Sequence, residues 1–251
     1  MVHSIRERAV RITGNERRRL MRLLMVAADS MEFAGVLARA RSAEAGRLPV
    51  DWARSAKLEN HTILMAANGM GSARAAAAVD AAVPVFHPEA VVSAGFCGAL
   101  DPGLDIAAVV VGACIAAGDR RYPALPVASP APHRVGTVCS IGHVAQTAAE
   151  KKELRATGAV AVEMEAAGVA ARAQNHGLPF YCVRAVTDLA GENMANDFNA
   201  ALRPDGHFAT MHILGNCVRH PVDRLPELIR LRRRCARASR ALGDFIVDCR
   251  F

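Results

Sequence analysis

The sequence predicts a single α/β domain whose central sheet, mainly parallel or mixed and twisted, is flanked by helices. Apolar runs of strand length alternate with helical segments, and several of the runs are apolar at every position. Strands of that kind are typical of a sheet covered on both faces. Hydrophobic residues make up 52% of the 251 residues and aromatic residues only 4%. A chain of this length can bury one large core.

In the first half of the chain, turn signals follow the apolar runs. The run at 23–28 ends at Asp29-Ser30, and the run at 62–67 ends in the glycine-rich turn 68–72. A helix is predicted at 73–82 because alanine has the highest helix propensity. The other elements predicted in this half are a helix at 31–40 and strands at 90–94 and 107–113.

The second half alternates in the same way. A helix predicted at 164–175 is closed by His176-Gly177, because glycine suits the left-handed position that ends many helices. Pro179 then introduces a strand at 180–186. The other elements predicted here are strands at 135–139 and 159–162, a helix at 145–155 and a helical tail at 225–245.

The formal charge of +7 is unevenly distributed. Arginines crowd into residues 1–22 and 230–240, whereas the middle of the chain is not unusually basic. Such clusters usually form solvated faces, so no nucleic-acid partner is expected. We divide the chain into a basic N-terminal extension (1–20), one folded domain (21–218) and a basic amphipathic C-terminal helix (219–251).

The cysteines and the apolar runs indicate the compartment. Seven cysteines, an odd number, occur without a Cys-x-x-Cys pair, which is typical of a reduced protein. The charged N-terminus has no long apolar run before a small-residue cleavage site, so no signal peptide is predicted. The longest uncharged apolar stretch, residues 106–117, is too short to span a bilayer. We therefore expect a cytoplasmic protein.

Candidate site residues follow four of the predicted strands, where ligands of open α/β sheets bind. The carboxylate pair Glu163 and Glu165 is a fifth candidate. Each has a structural alternative: the glycines serve turn geometry, the glutamates suit the positive end of a helix dipole, and Asp188 caps the segment after it. The four strand-end segments are residues 29–32, 68–71, 95–98 and 187–188.

Signatures of cofactor and metal binding are missing from the sequence. No Gly-x-Gly-x-x-Gly motif opens the first predicted helix and no P-loop occurs, so no nicotinamide cofactor is expected. His207 and His212 have no neighbouring carboxylate motif, so no metal is expected.

Together these segments resemble the nucleoside phosphorylase and nucleosidase superfamily, most closely its methylthioadenosine/S-adenosylhomocysteine nucleosidase branch. The resemblance covers residues 23–202, with the matching stretches in the family's order. Two stretches are the most specific: Ala-Val-Glu-Met-Glu-Ala-Ala-Gly-Val-Ala at 161–170 and Val-Arg-Ala-Val-Thr-Asp at 183–188. The resemblance implies a nucleoside phosphorylase-like fold and cleavage of a purine nucleoside at its N-glycosidic bond. The other matching stretches are residues 28–32, 68–72 and 91–111.

The resemblance also implies roles for individual residues. Cleavage leaves positive charge on the ribose and negative charge on the base, so an acid near purine N7 is needed. Asp188 corresponds to the family's residue at the purine, where a carboxyl kept protonated donates to N7, and an aspartate there favours adenine. Glu165 corresponds to the carboxylate on the ribose hydroxyls, Met164 to the residue on the sugar, and Glu32 to the base that orients the attacking water. The other substrate-binding residues that it implies are Glu163, Met70, Gly71, Phe96, Cys97, Gly98, Val144, Thr187 and Phe198.

Water is favoured over phosphate as the nucleophile because phosphate ligands are missing. Phosphate needs charge-assisted donors, typically arginines and a hydroxyl beside a glycine-rich loop. Where phosphorylase relatives have such a serine and arginine, this chain has Phe96 and Ser93, and the run 27–33 has no arginine. Glu32 would repel phosphate. The sequence therefore predicts a hydrolase acting on a 5′-substituted adenosine of the methylthioadenosine/S-adenosylhomocysteine type.

Two alternatives stay open. One is a phosphate-dependent purine nucleoside phosphorylase, including a hopanoid-associated enzyme that cleaves adenosylhopane, because the basic amphipathic tail suits weak contact with a membrane surface. Phe96, where the nucleosidases usually have serine, also leaves the 5′ substituent open. The other alternative is a non-catalytic nucleoside-binding protein, although the presence of Glu32, Glu165 and Asp188 favours an enzyme. Since the family is usually dimeric or larger, a homodimer or larger homo-oligomer is expected.

Overall fold

The computed structural model describes residues 20–59, 61–209 and 221–251. All but the last residue of the predicted basic extension lies outside these ranges. The strands are β1 (Met21–Ala27), β2 (Ser42–Ala45), β3 (Trp52–Lys57), β4 (His61–Ala67), β5 (Ala90–Ala99), β6 (Val109–Ala117), β7 (Arg120–Pro123), β8 (Arg134–Ser140), β9 (Ala159–Glu163) and β10 (Phe180–Asp188). The helices are a 3-10 turn (Ser30–Phe33), α1 (Ala34–Leu37), α2 (Ser72–Phe86), α3 (Ala148–Ala156), α4 (Ala166–Asn175), α5 (Phe198–Ala201) and α6 (Pro221–Asp248).

The strands form one mixed sheet in the order β10-β6-β8-β9-β5-β1-β4-β3-β2, with β7 paired to β6. At its centre β4, β1, β5 and β10 run parallel. β5 also pairs with β9 near its C-terminal end, which closes β5, β10, β6, β8 and β9 into a ring. The predicted α/β class, with a mixed sheet between helices, is confirmed.

The two faces of the sheet carry separate apolar cores. Along β1, Leu24 and Val26 join one core while Leu23 and Met25 join the other, because successive side chains of a strand point to opposite faces. Helices α2 and α4 cover the first core, and α1 and α6 cover the second. Helices therefore bury both faces of the strands that lead to the site.

Close backbone contact fixes α6 against α1 and the 3-10 turn that precedes it. A Cβ on Gly35 in α1 would lie 1.9 Å from the carbonyl oxygen of Ser239 in α6, so only glycine fits there. Ser239 Oγ accepts a hydrogen bond from Gly35 N at 2.9 Å and donates one to Glu32 O at 3.1 Å. The helix is thus bonded to the turn that carries Glu32.

Several element predictions were wrong at their ends. The helix predicted at 31–40 is a 3-10 turn and a single α-helical turn that ends at Leu37. The strand predicted at 90–94 continues to Ala99. Gly95 and Gly98, which suggested a loop, lie within the strand, where the side chains of Glu32 and Asp188 pack against them. The helix predicted at 164–175 begins at Ala166, so Glu163 ends a strand. β2 was not predicted because all its residues are exposed and it has no apolar run.

The helical tail predicted at 225–245 is longer than expected and forms α6. Ala238, Leu242 and Phe245 pack into the second core, whereas Leu225 and Ile229 are exposed. The membrane-surface contact expected of this tail stays a prediction. Among the described residues, no helix is both long enough and apolar enough to cross a membrane.

Candidate active site

A cavity of about 370 Å³ lies where the carboxyl ends of β1, β5, β9 and β10 meet, with α6 as one wall. This is the edge at which open α/β sheets bind ligands. The predicted catalytic and substrate-binding residues line the cavity, with two exceptions. Gly71 and Thr187 do not line it, but each is hydrogen-bonded to a residue that does. The residues described hold no group of three or more side chains suited to a metal ion.

Glu32 is buried, and three backbone N–H groups fix its carboxylate. Oε2 accepts hydrogen bonds from Ala28 N (2.8 Å) and Asp29 N (2.9 Å), and Oε1 accepts one from Phe96 N (2.6 Å). The local sequence explains the bond from Asp29, since Asp29 and Glu32 form a capping box on the 3-10 turn. Burial raises the pKa of Glu32 above its ordinary value of 4.5, although Arg184 and the hydrogen bonds act against this. A positioned carboxylate with raised proton affinity suits a general base.

A fully buried arginine, Arg184 on β10, lies among the carboxylates. Its Nη2 donates to Glu163 Oε2 and, at 2.6 Å, to Ser93 Oγ. Its Nη1 lies 3.6 Å from Glu165 Oε2 and, like Nε, has no hydrogen-bond partner. Burial disfavours the cation, but the nearby carboxylates, Glu163 foremost, outweigh it and raise the pKa of Arg184 above its ordinary value. Arg184 is therefore a permanent positive charge beneath the cavity.

Glu163 connects this arginine to the start of α4. Its Oε2 also accepts hydrogen bonds from Glu165 N (2.9 Å) and Ala166 N (2.8 Å). Backbone N–H groups at a helix start attract negative charge. Glu163 thereby holds both Arg184 and the segment that carries Glu165.

Glu165 is buried, and its Oε1 accepts a hydrogen bond from Gly71 N at 3.0 Å. Gly71 has a φ of 102°, a left-handed conformation that glycine adopts without strain. Burial, with Glu163 next in importance, raises the pKa of Glu165 to about 8, and Arg184 opposes the increase. Glu165 is thus protonated more readily near neutral pH than an exposed glutamate.

The raised pKa of Glu165 predicts that stability falls as the pH rises. A carboxyl group that binds its proton more tightly in the folded state stabilises the fold fully below its unfolded pKa, and that contribution is lost as the pH rises through its folded pKa. Between pH 4.5 and about 8, the free energy of unfolding of the wild type should therefore fall relative to that of Glu165→Gln. Urea denaturation across this range measures the difference. Parallel pH curves for the two proteins contradict the prediction.

Asp188 ends β10, with its side chain 13% exposed. Thr187 Oγ1 donates to Asp188 Oδ1 at 3.1 Å, and Lys151 Nζ on α3 donates to Oδ2. A Cβ on Gly98 would lie 2.7 Å from the same Oδ2, so glycine is needed there for the carboxyl group to fit. Both oxygens of Asp188 therefore have a hydrogen-bond donor from the protein.

Two aromatic rings line another part of the cavity. Phe198, which was predicted, packs edge-on against Phe208, which was not, with ring centroids 5.5 Å apart. Nearby, Val144 N donates to Asn199 Oδ1 at 2.8 Å and Asn199 Nδ2 donates to Val144 O at 3.0 Å. These bonds hold the segment after β8 against α5. The rings form an apolar surface suited to a planar base.

Sequence reasoning missed several residues at the site. Arg184 had a signal, since it is the one charged residue in an otherwise apolar strand before Asp188. Lys151 had almost no sequence signal, because nothing in the sequence distinguishes this buried lysine from the adjacent, exposed Lys152. The cavity-lining residues of α6 had none, because the helical pattern does not indicate which face meets a cavity. The missed lining residues of α6 are Leu228, Leu231, Arg232 and Cys235, and the other missed lining residues are His143, Met194 and Phe208.

Comparison with known families matches two overlapping ranges of the chain, residues 26–136 and 127–205, to the phosphorylase superfamily. The chain belongs to the phosphorylase superfamily. Its resemblance to the nucleosidases is also supported: a 5′-methylthioadenosine/S-adenosylhomocysteine nucleosidase of Chromohalobacter salexigens is 24% identical over 189 residues, which are 63% of this chain and 80% of the relative.

Two solved structures share the fold of this superfamily member. A 5′-methylthioadenosine/S-adenosylhomocysteine nucleosidase of Campylobacter jejuni gives a TM-score of 0.67 at 16% identity, covering 90% of this chain and 97% of that one. A futalosine hydrolase of Helicobacter pylori gives 0.68 at 15% identity, covering 90% and 96%. The family match ends at residue 205. The α6 wall therefore lies outside the matched part of this phosphorylase-superfamily chain.

Proposed function

We propose that this chain cleaves the N-glycosidic bond of an adenine nucleoside, with water as the nucleophile. The observation that carries the proposal is that Glu32, Glu165 and Asp188 line one cavity of about 370 Å³. The relatives and neighbours named above are called nucleosidases and a hydrolase, which supports the same class of reaction.

The three carboxyl groups suit the charges that develop as the bond breaks. Glu165 accepts hydrogen bonds from the ribose hydroxyls and faces the positive charge on the sugar, with Met164 packed on the ring. Asp188 serves the purine, and Phe198 covers the base together with Phe208. Such groups accelerate the reaction because they interact more strongly with the separated charges of the transition state than with the neutral substrate.

The attacking water is proposed to bind beside Gly95. A Cβ on Gly95 would lie 2.4 Å from Glu32 Oε1 and 2.7 Å from Arg184 Nη1, so both atoms pack against Gly95 and lie close to each other there. Nη1 has no partner and can donate to a water oxygen, while Glu32 accepts the proton that the water loses. Among the described residues that line the cavity, the only arginine or lysine is Arg232, on α6. Phosphate at Gly95 would instead meet the Glu32 carboxylate.

Gly95→Ala is expected to lower kcat by about 100-fold, the cost of displacing reacting groups by roughly 1 Å. The added methyl would overlap Glu32 Oε1 and Arg184 Nη1 and displace the water between them. Steady-state kinetics measures the effect. Gly142→Ala is the control, because a Cβ there meets nothing within 4 Å. Equal activities for the two variants contradict the placement of the water.

A panel of nucleosides assayed with and without phosphate tests the proposed reaction. We expect adenine release from adenosine derivatives without phosphate and a free sugar as the second product. If the rate depends on phosphate and a sugar 1-phosphate accumulates, the chain is a phosphorylase. If no nucleoside is cleaved but adenine nucleosides bind, it is a binding protein. If guanosine or inosine is the preferred substrate, the assignment of adenine as the leaving base is wrong.

The 5′ substituent of the nucleoside is proposed to lie against α6. Leu228 and Leu231 give this wall an apolar surface suited to a thioether, and Arg232 is an exposed cation beside it.

Arg232→Ala is expected to raise KM for S-adenosylhomocysteine, which carries a carboxylate, by about tenfold, as for loss of one hydrogen bond to a charged group. KM for methylthioadenosine should change little. Equal changes for both substrates contradict this placement.

A further inference from the structure

A lysine outside the cavity contacts a carboxyl group inside it. Lys151 on α3 is 1% exposed and does not line the cavity, yet its Nζ donates to Asp188 Oδ2. Nζ also donates to Leu189 O at 2.8 Å. Burying a lysine is costly even when it is paired. A buried ion pair of this kind is therefore weak evidence of a stabilising role.

The carboxyl group that Lys151 contacts is also reached from the cavity, because Asp188 itself lines it. Its Oδ2 packs closely against Gly98, where a Cβ would lie only 2.7 Å away, so glycine leaves room for the carboxyl group. A proton on Lys151 Nζ is therefore one carboxyl group away from a base bound in the cavity.

Other charged and titratable groups face Asp188, but none replaces Lys151. The loop after β10 contributes Glu192, which binds Arg234 of α6 with N–O distances of 2.6 and 2.8 Å. That pairing takes up the charge of Arg234. Among the described residues, Lys151 is the one cation with a hydrogen bond to Asp188. The other groups on neighbouring elements are Cys97, Glu227, Arg230 and Cys235.

On the basis of the function proposed above, we propose that Lys151 holds the proton that Asp188 delivers to the leaving purine. As the C1′–N9 bond breaks, its electron pair passes into the purine ring and N7 takes a proton from Asp188 Oδ2. Oδ2 in turn takes a proton from Lys151 Nζ, which becomes a neutral amine. The oxygen of the attacking water forms the new bond to C1′, Glu32 takes the proton that this water loses and later releases it to solvent, and solvent returns a proton to Lys151. Because Lys151 touches no substrate atom, it is a positioning residue that acts through Asp188.

The pH dependence of kcat tests this proposal. Without Lys151, Asp188 must take its proton from solvent, and an isolated aspartate is protonated only near pH ~4. Lys151→Met should release purine about 100-fold more slowly at neutral pH and recover up to about tenfold for each pH unit of acidification. Lys151→Arg keeps the charge but does not give up a proton, so it should be slow at every pH. Adenine binding and thermal unfolding, measured in parallel, show whether each variant keeps its site.

Lys152→Met is the matched control, because Lys152 is the exposed neighbour on the same helix. It should keep the wild-type pH profile. A uniform loss of kcat in Lys151→Met with an unchanged profile, or full activity in Lys151→Arg, overturns the proposal. If Lys151→Met does not fold, Lys151→Arg decides: slow release with adenine binding intact supports the proposal. If the wild type cleaves no nucleoside, the proposed function fails together with this inference, whereas a contrary result confined to the variants overturns the inference alone.

Discussion

Asp188→Asn is expected to slow adenine release by about 100- to 10,000-fold, the range for loss of a general acid. The amide has the shape of the carboxyl group, and its oxygen can still accept the hydrogen bond from Lys151. It has no proton to deliver to N7 at an accessible cost. The barrier should therefore rise while the affinity for the nucleoside changes little. Single-turnover kinetics together with equilibrium binding separates the two effects.

The control for this substitution is Asp80→Asn on α2. Asp80 pairs at the surface with Arg172 at 2.8 Å and His176 at 2.9 Å, and its side chain is 38% exposed. Surface pairs of this kind contribute little, so activity and stability should stay close to those of the wild type. If Asp188→Asn keeps its rate within tenfold of the wild type, the acid role of Asp188 is wrong.

Arg184→Met is expected to lower the free energy of unfolding by about 3–5 kcal/mol, the cost of removing one partner of a buried ion pair. The variant leaves Glu163 buried without its cation, beside a second buried carboxyl group, Glu165. Urea denaturation at neutral pH measures the loss. Arg134→Met is the control, because that exposed arginine pairs with Asp101 at the surface and its loss should cost under about 1 kcal/mol.

A double variant isolates the ion pair from the packing of the arginine. In Arg184→Met with Glu163→Gln no unpaired charge is left at this pair, so part of the lost stability should return. The two substitutions together should then cost less than the sum of the single costs. Additive effects mean that Arg184 stabilises the fold through packing alone.

The sequence predicted much of the fold because its strands are continuous apolar runs. The run at 62–67 corresponds to β4 within one residue, since both faces of that strand are covered. β2, by contrast, lies at the edge of the sheet with all its residues exposed. Its hydrogen bonds to β3 come from the backbone, which leaves no signal in the side chains. Strands of this kind can be located only once their neighbours are in place.

The sequence predicted those residues of the candidate site that lie in short segments with a distinctive order of residue types. Glu163, Glu165 and Asp188 stand in two such segments, and the structure brings both to one cavity. Lys151 reaches the site across 37 residues of sequence, through a helix whose face no local pattern specifies. Leu228 and Leu231 approach from farther along the chain, beyond the family match at residue 205. The residues that were missed therefore depend on tertiary packing and not on residue type.

The position of the cavity wall on α6 has a consequence for protein synthesis. A ribosome completes residues 21–209 before α6, at about 5–20 residues per second, so the nascent chain exposes the apolar face that holds Leu23 and Met25. A product that stops before α6 lacks that cover and also lacks Leu228 and Leu231 at the cavity. Bound nucleoside stabilises only a chain that can form the site. Translation that ends early would thus yield a species without ligand protection, exposed to proteases and chaperones.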